Sequence, residues 1–163
     1  AGETARTALE KTLHEDDILS CSFPWQYTLF RALEAAGLYA CTQERWQPYR
    51  DMLALHLTTL PERPGDTRSD CHAWSALPLY EFVRMHLGVS PGAPGWTEAR
   101  IQPWPLGQTA CSGVAPTAKG PIRVSWRVEG RNMTVEGDAP MPVTVILPDG
   151  RTQRFSAGHF RLA

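Results

Sequence analysis

No run of about 18 apolar residues occurs anywhere in the chain, so no membrane-spanning helix is expected from it. Neither sign of charge dominates. Sixteen Lys and Arg face seventeen Asp and Glu, a net of -1, which gives no electrostatic reason to expect nucleic acid or an anionic membrane as a partner. No two of the four cysteines, Cys21, Cys41, Cys71 and Cys111, stand at CxxC spacing, which argues against a zinc knuckle or a thioredoxin-type site. Free thiols are expected in a chain of this size. There is no HExxH and no pair of histidines at helical spacing; His14, His56, His86 and His159 are scattered, so neither metal nor cofactor is expected. Internal repeats and low-complexity tracts are lacking too. The opening AGETARTALEKTL has neither an initiator Met nor the pattern of a signal peptide. It reads as a start inside or just before a helix, and the expectation is an excised piece or a chain from which something upstream was removed.

What is present indicates a folded chain. Of its 163 residues 42% are hydrophobic and 20% charged, enough for one core or two small ones. Apolar residues at three- and four-residue spacing predict helices over 3–19, 24–36, 44–57 and 71–88. Thr4 is a possible N-cap for the first. In the second, Trp25, Leu29, Ala32, Leu33 and Ala36 form the stripe, with Tyr27 and Phe30 widening it, and Gly37 stands as the stop. In the third the stripe is Trp46, Tyr49, Leu53 and Leu57, with Pro48 tolerated in its first turn. Pro78 implies a kink in the fourth helix, or a helix that begins there. Short links between these segments favour antiparallel helical hairpins.

VSPGAPGW has the composition of a linker, and beyond it the period becomes two. Ala99 and Ile101 alternate with polar neighbours. Ile122, Val124, Trp126 and Val128 do so strictly, and Val143, Val145 and Leu147 follow. Pro148-Asp149-Gly150-Arg151 is a turn between two strands. The expected fold is therefore α+β in two parts: a helical part over 1–90, a linker over 91–96, and a small antiparallel β-sandwich of five to seven strands over 97–163.

Between the third and fourth helical stretches lies TTLPERPGDTRSDCHAW, residues 58–74. It gathers Glu62, Asp66, Asp70, His72, Trp74, Arg63 and Arg68 into one turn-rich loop, the kind of place where sites are found. A carboxylate, an imidazole and an indole suit a sugar: proton transfer, a hydrogen bond and a stacking face. Glu62 reads either as a general base or as a surface carboxylate paired with Arg63 or Arg68. His72 reads either as a donor to a substrate hydroxyl or as a helix-start histidine bonded to local backbone. Its neighbour Cys71 is no partner for it, because adjacent side chains diverge. Trp25, Tyr27 and Trp46 read as core, or as a sugar-stacking wall. Asn132-Met133-Thr134 matches a glycosylation sequon, a short and common pattern that falls in an expected strand.

The run LTTLPERPGDTRSDCHAWSALPLYEFV, 57–83, resembles the end of the catalytic domain of α-L-rhamnosidases, inverting glycoside hydrolases built on a six-hairpin (α/α)6 toroid. FPWQYTLFRALEAAGLY, 23–39, resembles the preceding hairpin, and VTVILPDGRTQRFSAGHFRL, 143–162, the small sandwich after the toroid. Carried over by position, the resemblance implies Glu62 as general base and His72, Trp74 and Trp25 as sugar-pocket residues. The family often has Trp immediately before that Glu; Pro61 stands here. It also implies a rhamnoside substrate, a general acid supplied from upstream of this chain, and association with the rest of the catalytic domain. Uncovered helix stripes add an expectation of self-association. The alternative is a non-catalytic module that binds carbohydrate or protein.

Overall fold

The computed structural model describes residues 2–14 and 20–163. It separates into two units, residues 1–77 and 78–163. The division falls between Leu77 and Pro78, well before the expected linker at 91–96.

The first unit is helical. Helix α1 covers Glu3–His14; the remainder of the expected 3–19 helix lies outside the described residues. Helix α2, Phe23–Ala35, has Pro24 in its first turn, where a missing N–H costs nothing. It ends where Gly37 takes φ +72°, a left-handed conformation open to glycine, while Leu38 N–H returns to the Leu33 carbonyl at 2.7 Å. A 3-10 segment, Tyr39–Trp46, occupies the place expected for a link and the start of the third helix, and α3 is only Gln47–Ala54.

The buried face of α2 differs from the expected stripe. Phe23, Gln26, Phe30 and Leu33 are buried, whereas Trp25 and Tyr27 are exposed. Both sets have helical spacing, so periodicity alone does not choose between them. The choice follows the aromatic side chains that α2 meets. Phe23 lies 4.9 Å from Tyr49, and Phe30 lies 5.3 Å from Trp46 and 6.2 Å from Tyr39, ring centre to ring centre. Of the expected α3 stripe, Trp46 and Tyr49 are buried but Leu53 and Leu57 are exposed; Met52 takes the inner place.

The second unit opens on the end of helix α4, Leu77–Glu81, which widens into one π turn, Phe82–His86. Its last carbonyls, and that of Gly88 just beyond it, are satisfied by residues in and between the strands that follow. Trp104 N–H donates to the Met85 carbonyl, Trp126 Nε1 to that of His86 and Gln102 N–H to that of Gly88, each at 2.8 Å. These bonds tie the helix end to the strands and explain why the boundary precedes it.

Eight strands follow: β1 Val89–Pro91, β2 Ala99–Ile101, β3 Ala110–Ala115, β4 Ile122–Glu129, β5 Asn132–Ala139, β6 Val143–Ile146, β7 Thr152–Phe155 and β8 Gly158–Leu162. They form two four-stranded sheets, β1-β2-β6-β7 and β3-β4-β5-β8. Residues 89–91, expected as the end of the helical part and the start of the linker, form the edge strand β1 paired with β2. All pairs are antiparallel except β2 with β6, which is parallel. Alternation holds where it was read: Ile122, Val124 and Trp126 of one sheet share a core with Ile101, Val143 and Val145 of the other.

Gly137 is required by close approach rather than by backbone angle. A Cβ there would lie 2.0 Å from the Arg123 carbonyl oxygen and 2.7 Å from the Phe160 ring. Gly137→Ala must push β5 away from β4 and is expected to cost about 3 kcal/mol, the upper end for overpacking. A shift of the denaturant midpoint at unchanged slope measures it; an unshifted midpoint refutes the packing.

Candidate active site

The loop after α3 folds back on itself as a narrow hairpin. Glu62 N–H donates to the Ser69 carbonyl at 2.9 Å, and His72 N–H to the Leu60 carbonyl at 2.7 Å. The Thr59 hydroxyl bonds the Asp70 carbonyl, and Gly65 turns the tip at φ +74°. The hairpin is anchored at two ends. At the first, Phe23 N–H, at the start of α2, donates to the Glu62 carbonyl at 3.1 Å. That bond satisfies one of the free N–H groups every helix start carries. At the second, the Tyr49 hydroxyl of α3 donates to the Ser75 carbonyl at 3.3 Å, beneath the 3-10 turn Ala73–Ser75. Burial pushes the Tyr49 hydroxyl pKa up, so it stays a proton donor.

Glu62 is thereby held at the backbone by a helix start and by the opposite strand of its own hairpin. Its carboxylate meets Arg68 side-on: Nε reaches Oε2 at 3.1 Å and a terminal nitrogen reaches Oε1 at 3.0 Å. The glutamate side chain is 23% exposed and the arginine 78%. Hydrogen bonding from Arg68 holds the carboxyl below the ordinary glutamate range, and the charges of Arg68, His72 and Arg63 act in the same direction. Arg63 itself donates to the Asp66 carbonyl at 3.2 Å.

His72 is half-buried at the start of the 3-10 turn, its carbonyl accepting the Ser75 N–H at 2.8 Å. Trp74 on that turn is 74% exposed, and Trp25, two residues after the α2 start that bonds Glu62, is 65% exposed. The fold thus brings the Glu62 backbone to the start of α2, and His72 close enough for its charge to act on the carboxylate. Both indoles are left facing solvent. Trp46 is core, and Tyr27 is partly exposed with the Arg31 guanidinium over its ring at 5.8 Å. Asp66 and Asp70 lie exposed in the same hairpin. The four cysteines are free, Cys71 exposed. Among the described residues, no three His, Cys, Asp or Glu side chains gather as a metal would require.

The two larger of the open clefts among the described residues lie elsewhere. One of about 740 Å³ lies on the outer face of β3, β4 and β5, and one of about 760 Å³ lies beside Gln26 and Arg45; Glu62 lines neither. The anchor from Tyr49 to Ser75 was not read from the sequence. Twenty-six residues separate them, and Tyr49 carries only the signal of a core aromatic.

Residues 88–160 match the family model of the bacterial α-L-rhamnosidase C-terminal domain. Solved α-L-rhamnosidases superpose on nearly the whole chain. That of Aspergillus terreus does so with a TM-score of 0.82 at 20% identity over 99% of this chain and 22% of its own. A family 78 rhamnosidase of Bacillus sp. GL1 gives 0.77 at 30% identity, over 92% and 18%. The chain is similar to the C-terminal part of α-L-rhamnosidases. A third structure, the Streptomyces avermitilis α-L-rhamnosidase complexed with L-rhamnose, gives a TM-score of 0.68 at 19% identity, over 83% of this chain and 17% of its own. No curated protein matches by sequence. The chain spans about a fifth of the length of the solved rhamnosidases it matches.

Proposed function

We propose that this chain is the C-terminal part of an inverting α-L-rhamnosidase that removes terminal rhamnose, with Glu62 as its general base. In this reading residues before about 77 are the last hairpins of an (α/α)6 toroid, and the sheets that follow are its small C-terminal sandwich. Water attacks the anomeric carbon from the face opposite the leaving group. The new bond is from carbon to the water oxygen, whose proton passes to Glu62. The bond to the aglycone oxygen breaks, and that oxygen takes a proton from a general acid supplied upstream of this chain. His72 donates to a sugar hydroxyl, and Trp74 and Trp25 offer stacking faces. The observation that carries the reading is the Glu62 carboxylate, held by backbone bonds on a loop that also bears a half-buried imidazole and an exposed indole. Exposed Trp25, Leu53, Leu55 and Trp74 support a further partner: the remainder of the catalytic domain or, without it, a second copy of the chain.

Inversion gives a direct test. With the intact protein and an α-rhamnoside, proton NMR of the first product formed should show the β anomer before mutarotation. The α anomer first would exclude the single-displacement mechanism, and no turnover by the intact protein would favour a binding module.

A further inference from the structure

The Arg68 fork deepens that reading and rests on it. A carboxylate has about four lone-pair directions, two on each oxygen. Arg68 approaches side-on, placing one N–H on each oxygen and leaving a second direction on each. We propose that Arg68 is a positioning residue for Glu62: its guanidinium sets the plane of the carboxylate and leaves the free lone pairs for the attacking water.

Three observations support this. The pair closes a hairpin whose backbone bonds already fix Glu62 and Ser69 opposite one another, so Arg68 approaches from a defined side. Arg68 is 78% exposed, and an ion pair so open adds little to folding stability, so changes at Arg68 should act on the loop and leave the fold intact. The fork also has no equal among its neighbours. The groups that act on the carboxylate are Arg68, His72 and Arg63, with Arg68 first and the only hydrogen-bonding one among them. From α2, the element bonded to this loop, the contact is the Phe23 N–H on the Glu62 carbonyl.

The direction of the effect follows. Arg68 holds the Glu62 carboxyl below its ordinary range, so its removal raises the pH at which the base loses its proton. In kcat/KM, the acidic limb reports the base of the free enzyme. Arg68→Met in the intact enzyme should move that limb to higher pH, with the largest loss at the acid end. Arg68→Lys keeps the charge but not the planar fork and should return the limb only part of the way. Arg63→Met, whose partner is the Asp66 carbonyl, should move it less than Arg68→Met.

The carboxyl carbon of Glu62, followed by NMR against pH in the same proteins, gives a readout that needs no turnover. It should titrate at higher pH in Arg68→Met than in wild type. Titration at the same pH in both, or a uniform loss of rate at every pH with the limb unmoved, overturns the inference. Because the NMR shift does not depend on catalysis, it stands or falls apart from the base assignment, which Glu62→Gln tests.

Discussion

The purified 163-residue chain is expected to hydrolyse an aryl rhamnoside no faster than the uncatalysed background. Inverting hydrolysis needs two carboxyl groups roughly 6.5–9.5 Å apart with a water below the sugar. In the proposed mechanism Glu62 supplies one. Asp66 and Asp70 lie in the same short hairpin, too near in sequence to face Glu62 across a sugar ring. Losing a positioned acid removes on the order of 10²–10⁴ in rate. Losing the walls of the pocket removes more, because a reactant held in place is worth up to about 7–11 kcal/mol of barrier. Open solvent over Trp25 and Trp74 is consistent with half a pocket. Turnover by the chain near that of an intact relative, measured with a chromogenic rhamnoside, would show that the chemistry is complete within these residues.

The change from helical to alternating period was legible because it is local. It gave the α+β class and placed β2, β4, β5 and β6. The unit boundary was not legible. The segment 78–86 looks like any other helix in sequence, and what attaches it to the strands is a set of bonds to Gln102, Trp104 and Trp126, up to forty residues away. The parallel pairing of β2 with β6 is hidden for the same reason. Edge strand β1 was missed because VSP is short and contains a proline, which an edge position tolerates. In α2, two apolar sets share one spacing, and only the aromatic partners Tyr39, Trp46 and Tyr49 decide between them. The candidate site was visible as a cluster of residue types and through family resemblance. Its geometry was not: the sequence left Glu62 with Arg63 or Arg68 as partner, and the hairpin register selects Arg68.

That Glu62 activates water is the central claim, and Glu62→Gln in the intact enzyme tests it most directly. The carboxamide keeps the shape of the side chain and can still hold a water, but it cannot accept the proton that the water gives up as the bond to the anomeric carbon forms. An interaction needed only in the transition state lowers kcat without raising KM. The expected result is a kcat lower by roughly 10²–10⁴ with KM little changed. Folding should survive, because the backbone bonds of residue 62 to Phe23 and Ser69 do not involve the side chain, and circular dichroism and the thermal midpoint verify that. A folded Glu62→Gln enzyme with near-wild-type kcat on a rhamnoside would contradict the account, leaving Glu62 as a surface carboxylate paired with Arg68.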